Sequence, residues 1–141
     1  MRSTLLVIGQ FGSIIILLIG GDWLIPIWAW ILFALGLAIF FWAVASLGGD
    51  NFTIMPAPRT GNTLSKKGIY RILRHPMYTA VLVCGIAVGF GSPSLARWIA
   101  LAVCFVVLIL KVRHEEELLT ARHPDYPQQM KGVARLFPGV W

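Results

Sequence analysis

Long apolar runs separated by short polar or glycine-rich breaks dominate the hydrophobicity pattern of this chain. Four runs are long enough, or nearly so, to form membrane-spanning helices, since a span needs about 20 apolar residues. The pattern therefore predicts an all-α, polytopic integral membrane protein with about four transmembrane helices. We place the spans at residues 4–20, 24–47, 76–91 and 95–112.

One polar segment lies between the second and third spans, and another follows the fourth. We assign the whole chain to a single domain. Within the cytoplasmic segment 50–75, residues 50–67 contain Pro56 and Pro58, which break helices, so we predict a long loop there that covers a pocket. After the fourth span, helix-favouring residues continue without a break until Pro124. The last helix is therefore predicted to project beyond the membrane, as the start of a tail at residues 113–141.

The composition supports a membrane location and indicates the orientation. Hydrophobic residues make up 57% of the chain and charged residues 13%, with a mean hydropathy of +0.77, which is too apolar for a soluble domain. A net charge of +6 is compatible with nucleic-acid binding, but most basic residues flank the spans, as in positive-inside topology. They concentrate in residues 50–75 and 113–141, whereas the opposite loops contain only Arg97. We expect both termini in the cytoplasm, membrane lipids as neighbours and no nucleic-acid partner.

The two cysteines, Cys84 and Cys104, both fall inside apolar spans. Their spacing does not resemble that of a metal site, and buried cysteines commonly behave as small apolar packing residues. We therefore predict no disulfide and no bound metal.

The stretch Gly68–Tyr78 is the most chemically dense part of the chain. Pro76 lacks an N–H and crowds the preceding turn, so we predict a short helix that stops near Arg74 and a second helix that starts at Pro76. His75 then lies at the break. The unpaired N–H groups and positive dipole end of the second helix, next to Arg71 and Arg74, suit an anionic ligand group.

An acidic run, Glu115–Glu117, follows the fourth span. By itself it could be a solvated turn, and the Arg-His-Pro sequence could be a charge cluster at the membrane interface. The hairpin of the third and fourth spans brings the two together, however, and combines carboxylates with guanidinium groups, an imidazole and a phenol. This combination at one helix junction is typical of a functional site.

The same residues resemble a known family. The motif Gly68-x-Tyr70-x-x-x-Arg74-His75-Pro76-Met77-Tyr78 is followed by an apolar hairpin, Glu115-Glu116, and Arg135-Leu136-Phe137-Pro138-Gly139. This pattern resembles the isoprenylcysteine carboxyl methyltransferase family, and membrane phospholipid N-methyltransferases are similar in the same region. The resemblance covers roughly residues 51–139. It implies an S-adenosylmethionine-dependent membrane methyltransferase whose cofactor enters from the cytosol and whose lipophilic or lipidated substrate enters from the bilayer.

The resemblance also implies roles for individual residues. The expected catalytic residues are Arg122, which would orient the methyl acceptor, and Glu116. A carboxylate acceptor needs no general base, whereas an amine would need a proton removed, for which Glu116 or His75 is the nearest candidate. Carboxyl methylation of an isoprenylcysteine-type substrate and N-methylation of a phospholipid or other amine both remain open. The expected cofactor-binding residues are Tyr70, Arg74, His75, Pro76, Tyr78, Glu115 and Glu116.

Two other classes of protein are alternatives. Membrane sterol reductases resemble the family in their C-terminal part and use NADPH, and the basic cluster could hold a phosphate. A non-enzymatic small membrane protein could use the same basic loops to bind anionic lipid. Binding of S-adenosylmethionine compared with NADPH distinguishes the three possibilities.

Overall fold

The computed structural model of this protein describes residues 2–47 and 66–141, and helices make up most of these two ranges. Three of these helices, Arg2–Ile19, Ile27–Leu47 and Leu95–Arg122, are each long and apolar enough to cross a membrane, so the predicted all-α membrane fold is confirmed. The loop predicted to cover a pocket lies largely outside the described residues. The helices are α1 (Arg2–Ile19), α2 (Ile27–Leu47), a short 3₁₀ helix (Gly68–Arg71), α3 (Pro76–Gly91), α4 (Leu95–Arg122) and the single turn α5 (Tyr126–Gln129).

The lengths of α3 and α4 complement each other. With 16 residues, α3 spans about 24 Å, which is less than the ~30 Å hydrocarbon core of a bilayer. With 28 residues, α4 spans about 42 Å and extends well beyond such a core. The α4 helix ends at Arg122, two residues before Pro124, as its unbroken helical propensity predicts.

Two helix pairs form the bundle: α2 packs along α3, α1 packs along α4, and α3 contacts α4 between the pairs. Small residues allow the close approach. A Cβ atom added to Gly36 on α2 would collide with Cys84 Sγ and lie 3.1 Å from the Ala80 carbonyl oxygen on α3. A Cβ atom at Gly9 would lie 3.1 Å from Val107 of α4.

Helix α2 begins at Ile27, three residues later than predicted. The carbonyl of Pro26 accepts hydrogen bonds from the N–H groups of Ala29 and Trp30, at 2.9 and 3.3 Å. Pro26 therefore precedes the helix instead of lying in its first turn.

The segment before α3 also differs from the prediction. The short helix ends at Arg71, not near Arg74, and the chain then pairs with the C-terminal tail. Leu73 forms a parallel β-bridge with Ala134, and the N–H groups of Arg74 and His75 donate to the carbonyls of Ala134 and Arg135, at 2.8 and 3.0 Å. These tail carbonyls replace the helical acceptors, so Arg71 does not share a helix face with Arg74.

Buried Arg97 organises one end of the bundle. Its side chain is fully enclosed and donates hydrogen bonds of 2.8 to 3.2 Å to four backbone carbonyls. The acceptors belong to the end of α1, the α1–α2 turn and the α3–α4 turn, namely Leu17, Gly21, Asp22 and Ser92. A single guanidinium group thus ties both turns together, because its donors fan out in one plane.

The opposite end holds the beginning of α1 and the projecting part of α4. Ser3 Oγ lies 3.0 Å from His114 Nε2, and Arg2 Nη1 lies 3.8 Å from Glu117 Oε2. The N-terminal residues, the segment before α3 and the C-terminal tail therefore lie at one end, and the two turns joined by Arg97 at the other.

The side of the membrane on which each end lies follows from the distribution of basic residues. We expect reporter fusions at Gly21 and Ser92 to score as external, because both turns lie at the end that is poor in basic residues. A fusion after Trp141 serves as the control and is expected to score as cytoplasmic. A cytoplasmic score at Gly21 or Ser92 would contradict the predicted orientation.

Candidate functional site

Glu116 on α4 is the meeting point of three parts of the chain. Its Oε1 atom lies 3.1 Å from Arg74 Nη1, in the segment before α3, and its Oε2 atom lies 2.8 Å from Arg135 Nε, in the tail. His75 Nε2 approaches Oε1 to 3.5 Å. Only 14% of the Glu116 side chain is exposed, so these contacts form in a poorly solvated place.

His75 lies between two carboxylates. Its Nδ1 atom is 3.5 Å from Glu115 Oε2, and its ring stacks on the ring of Tyr78, with centroids 5.6 Å apart and planes inclined by 6°. The Tyr78 hydroxyl donates a 2.9 Å hydrogen bond to the same Glu115 oxygen. His75, Tyr78 and Glu115 therefore form one contiguous layer at the beginning of α3.

The C-terminal tail holds this layer in place. Arg74 donates from Nε to the Val133 carbonyl and from Nη2 to the Met130 carbonyl, at 2.9 and 2.8 Å. Thr79 Oγ1 donates a 2.6 Å hydrogen bond to the Leu136 carbonyl. Because the tail supplies these acceptors, the orientation of Arg74 depends on residues more than 50 positions away in sequence.

An apolar cavity of about 270 Å³ opens between α1, α2 and α3. Its wall on α3 starts at Ala80 and Val81, directly after the site residues Tyr78 and Thr79. The cavity is lined by apolar atoms, so it suits hydrocarbon better than water. Its other lining residues are Ile14, Leu17, Leu18, Phe33, Gly36, Leu37, Phe40, Cys84, Gly85 and Val88.

Comparison with known proteins identifies the family. A sequence model described as phospholipid methyltransferase matches residues 24–125, well over half of the chain. The chain belongs to the phospholipid methyltransferase family. This family lies in the isoprenylcysteine carboxyl methyltransferase-like superfamily, so the resemblance is confirmed. Membership supports a membrane methyltransferase without specifying its substrate.

The chain is also similar to a curated protein, although the sequence identity between the two is low. The chain is 27% identical over 119 residues to the cobalt-zinc-cadmium resistance protein CzcN of Cupriavidus metallidurans. The match covers 84% of this chain and 52% of the relative, so the chain spans about half the length of that protein. Within residues 2–47 and 66–141, no group of three or more His, Cys, Asp or Glu side chains is placed to hold a metal ion.

The predicted site residues of this phospholipid methyltransferase family member fall into two groups. The contiguous layer and its ion pairs bring together Arg74, His75, Tyr78, Glu115 and Glu116.

The remaining predicted residues lie around that layer. Pro76 is buried as the first residue of α3, and half-buried Tyr70 packs against Ala43 and Leu73. Burial and the nearby charge on Glu115 raise the pKa of Tyr70 well above its ordinary value, so its phenol is neutral. Arg122 is exposed at the last residue of α4, about two turns beyond Glu115, and its role stays a prediction.

The structure adds two residues to which we had assigned no role. Arg135 forms the shortest ion pair with Glu116 and also lies over the Trp141 ring, 5.1 Å from its centroid. Tyr126 is buried next to Arg74, and burial and the charge on Glu116 raise the pKa of its phenol well above the usual range. Arg135 belongs to the recognised motif, and an arginine beside the apolar Leu136 and Phe137 could have indicated an ion pair.

The buried contacts determine the charges of the site. Burial alone would lower the pKa of His75, but Glu115 and Glu116 outweigh it and raise this pKa to about 9. Burial would raise the pKa of Glu116, but His75 and Arg135 hold it at about 2. At neutral pH the imidazole is therefore positively charged and the Glu116 carboxylate is ionised.

These charges predict how stability depends on pH. A raised pKa means that the folded protein binds the His75 proton more tightly than the unfolded chain does. The contribution of His75 is fully present below about pH 6.5 and is lost as the pH rises through about 9. We expect the free energy of unfolding in detergent to fall by roughly 3 kcal/mol over this interval.

The measurement is thermal unfolding of purified protein between about pH 6 and pH 10. This range brackets the ordinary histidine pKa of 6.5 and the raised pKa of His75, about 9. His75→Gln should remove most of the slope, whereas the control His123→Gln, in the link after α4, should retain it. A wild-type unfolding midpoint that stays flat over this range would contradict a charged His75.

Proposed function

We propose that this protein is an S-adenosylmethionine-dependent methyltransferase that acts on a lipophilic acceptor at the membrane. The observation that carries the proposal is the buried cluster in which His75, Glu115 and Glu116 meet two arginines at the junction of α3 and α4. Burying several charges is costly, and their concentration at one helix junction is typical of a binding site. Family membership supports methyl transfer as the reaction.

The chemistry of the cluster fits the cofactor. S-adenosylmethionine carries an ammonium, a carboxylate, ribose hydroxyls, an adenine and a methyl-bearing sulfonium. Glu115, with 27% of its side chain exposed, can accept hydrogen bonds from an ammonium or from hydroxyls. His75 Nε2 is buried and makes no hydrogen bond within the described residues, so it has a donor to offer.

Other residues of the site fit the remaining parts of this molecule. Arg74 can attract a carboxylate, and the ring of Tyr70 can receive an adenine or a sulfonium, since cations are attracted to aromatic faces. His75 stacks on the ring of Tyr78 and Lys111 faces it, so Tyr78 can contact the cofactor through its ring edge. Pro76 starts α3, and the N–H groups of Tyr78 and Thr79 donate to the His75 carbonyl, so it is the helix dipole that favours a negatively charged group here. When bound, the cofactor supplies an already activated methyl group.

The protein therefore contributes positioning and exclusion of water more than acid–base chemistry. His75 is protonated at neutral pH and Glu116 is held by cations, so neither is free to remove a proton. An acceptor that is nucleophilic without losing a proton suits such a site. This favours carboxyl methylation, as of an isoprenylcysteine-type substrate.

The second candidate is N-methylation of a phospholipid or another amine, which the description of the matching family favours. In that case Glu115, which is less buried than Glu116, is the more accessible proton acceptor. The apolar cavity suits either acceptor, because its lining of apolar atoms can receive a hydrocarbon chain.

The test has two stages. Purified protein in detergent is first titrated by calorimetry with S-adenosylmethionine and with NADPH. Binding of S-adenosylmethionine alone supports the proposal, binding of NADPH alone favours a reductase, and binding of neither favours a non-enzymatic protein. Labelled cofactor is then supplied with a lipophilic thioether carboxylate or with a phospholipid amine, and the acceptor that becomes methylated decides between the two candidates.

Arg122 is proposed to orient the acceptor, and Arg122→Ala tests this. We expect methyl transfer to fall by about 100-fold, because positioning is lost, while affinity for S-adenosylmethionine stays near the wild-type value. The matched control is Arg113→Ala, which removes another exposed arginine of α4 and should leave turnover unchanged. If Arg122 only complements the helix dipole, turnover and acceptor KM will be normal and the catalytic role is wrong.

A further inference from the structure

A buried lysine lies directly beneath the candidate site. Lys111 on α4 is 1% exposed, and its Nζ atom donates a 2.5 Å hydrogen bond to Gln10 Oε1 on α1. The same Nζ atom lies 5.0 Å from the centre of the Tyr78 ring. Gln10 is itself buried, and its backbone carbonyl accepts a 2.8 Å hydrogen bond from Ser13 Oγ.

We propose that Lys111, held by Gln10, is a positioning residue that fixes the ring of Tyr78 for cofactor binding. The inference rests on the proposed function, because it is S-adenosylmethionine that Tyr78 is expected to contact. The structure holds Tyr78 at three points. The ammonium of Lys111 faces the ring, Glu115 accepts from the hydroxyl at 2.9 Å, and His75 stacks on the ring.

The contact with Lys111 is the one that ties Tyr78 to the rest of the bundle. A cation held over an aromatic face is attracted to it most strongly where water is excluded, as it is here. Glu115 follows Lys111 by four residues, so both side chains leave the same face of α4. A long lysine side chain needs a second anchor to stay in one position, and Gln10 supplies it.

Helix α1 thereby takes part in the site, although it lies outside the region that the family comparison matches. The match begins at residue 24, whereas Gln10 belongs to Arg2–Ile19. Helix α1 packs along α4, so the Gln10–Lys111 hydrogen bond transmits the position of α1 to Tyr78. The first helix is thus predicted to influence cofactor binding without touching the cofactor.

If Gln10 and Lys111 served only to stabilise the bundle, replacing both would change the unfolding temperature and not the affinity for S-adenosylmethionine. The proposal predicts the opposite, which allows a decisive test. Replacing a buried polar pair by apolar residues of similar size is often neutral or stabilising. The double variant Gln10→Leu/Lys111→Met should therefore unfold at the wild-type temperature or above. It should nevertheless bind S-adenosylmethionine about tenfold more weakly, because Tyr78 is no longer fixed.

The control is Arg113→Met, which removes an exposed charge two residues along α4 and should leave affinity unchanged. Tyr78→Phe provides the comparison for coupling. Adding it to the double variant should weaken binding by less than the product of the separate effects, since both changes release the same ring. Lys111→Arg, which retains a cation, should recover part of the affinity.

A second readout does not depend on the cofactor. The chain has three tyrosines, so fluorotyrosine labelling should give three ¹⁹F resonances, and Tyr78→Phe assigns one of them. In Gln10→Leu/Lys111→Met the Tyr78 resonance should shift or broaden, while those of Tyr70 and Tyr126 stay in place.

Two results would overturn the inference. One is an unchanged Tyr78 resonance together with affinity within twofold of wild type. The other is a loss of affinity that accompanies a lower unfolding temperature and shifts of all three resonances, which would mark a structural role. If the wild-type protein binds no S-adenosylmethionine, the proposed function fails, and the ¹⁹F spectra still decide whether Lys111 positions Tyr78.

Discussion

Glu116→Gln is expected to abolish measurable S-adenosylmethionine binding and to lower the free energy of unfolding by about 3 to 5 kcal/mol. The substitution retains the shape of the side chain but removes the negative charge that Arg74, His75 and Arg135 share. The three cations then face one another in a poorly solvated place. Breaking a buried ion pair in this way leaves charge uncompensated, which costs more than the pair itself contributes.

Glu117→Gln is the matched control, since it makes the same chemical change at the next residue. The Glu117 side chain is 62% exposed, and its contacts with Arg2 and His114 are long, at 3.8 Å. Exposed ion pairs contribute little, so thermal unfolding and cofactor binding should remain near wild type. Arg135→Gln, which removes one cation of the cluster, should give a milder loss and reports on the site if Glu116→Gln fails to fold.

The measurements are thermal unfolding in detergent and calorimetric titration at a temperature where each variant is folded. A Glu116→Gln protein with wild-type stability and affinity would show that the cluster is neither a structural centre nor a binding site. Lower stability with normal affinity would restrict Glu116 to a structural role and leave cofactor binding to Glu115 and His75.

Arg97→Met should cause a comparable loss of stability at the other end of the bundle. The substitution removes the donor from the carbonyls of buried Leu17 and half-buried Ser92, and from those of the exposed residues Gly21 and Asp22. An unsatisfied buried polar group costs about 1 to 3 kcal/mol, so the two enclosed carbonyls predict a total loss of about 3 kcal/mol. Lys has a single ammonium and cannot reach all four acceptors at once, so Arg97→Lys should lie between Arg97→Met and wild type.

This effect should be separable from the chemistry of the site. Arg97 ties the two turns at the end opposite His75 and Glu116, so folded Arg97→Lys protein should bind S-adenosylmethionine normally. Thermal unfolding and calorimetry on the same preparation check both statements. Wild-type stability of Arg97→Met would mean that the carbonyls find other donors and that the two turns do not depend on this residue.

Arg97 and the charge cluster around Glu116 have different roles in the described part of the chain. Arg97 donates to four neutral backbone carbonyls, so it satisfies a helix end and two turns. The cluster at Glu116 combines both signs of charge with two aromatic rings, a composition that suits a ligand with both charges. The proposed function is therefore assigned to the Glu116 end.

Much of the architecture was determined by the sequence alone, because a bilayer imposes simple rules on it. Apolar runs of sufficient length must become helices, since no water is present to satisfy their backbone groups. On this ground the spans at residues 24–47 and 95–112 are predictable within a few positions, and the continuation of α4 to Arg122 follows from its helical propensity. Pro76 also marked the start of α3, because proline fits the first position of a helix and little else. The motif residues from Arg74 to Tyr78 and Glu115 to Glu116 indicated the family and the place of the candidate site.

Only the tertiary structure decided how those residues are arranged and charged. The sequence could not show that the tail carbonyls of Met130 and Val133 bind Arg74, because backbone acceptors carry no signal in the side-chain pattern. For the same reason the short helix was predicted to extend to Arg74, whereas pairing with the tail ends it at Arg71.

The charge of His75 and the partnership of Gln10 with Lys111 are also products of the fold. Each depends on distances between helices that are far apart in sequence, and electrostatic energies in a poorly solvated site change steeply with those distances. The sequence therefore determined the membrane helices and the members of the site, and packing determined which proton, charge and hydrogen bond each member holds.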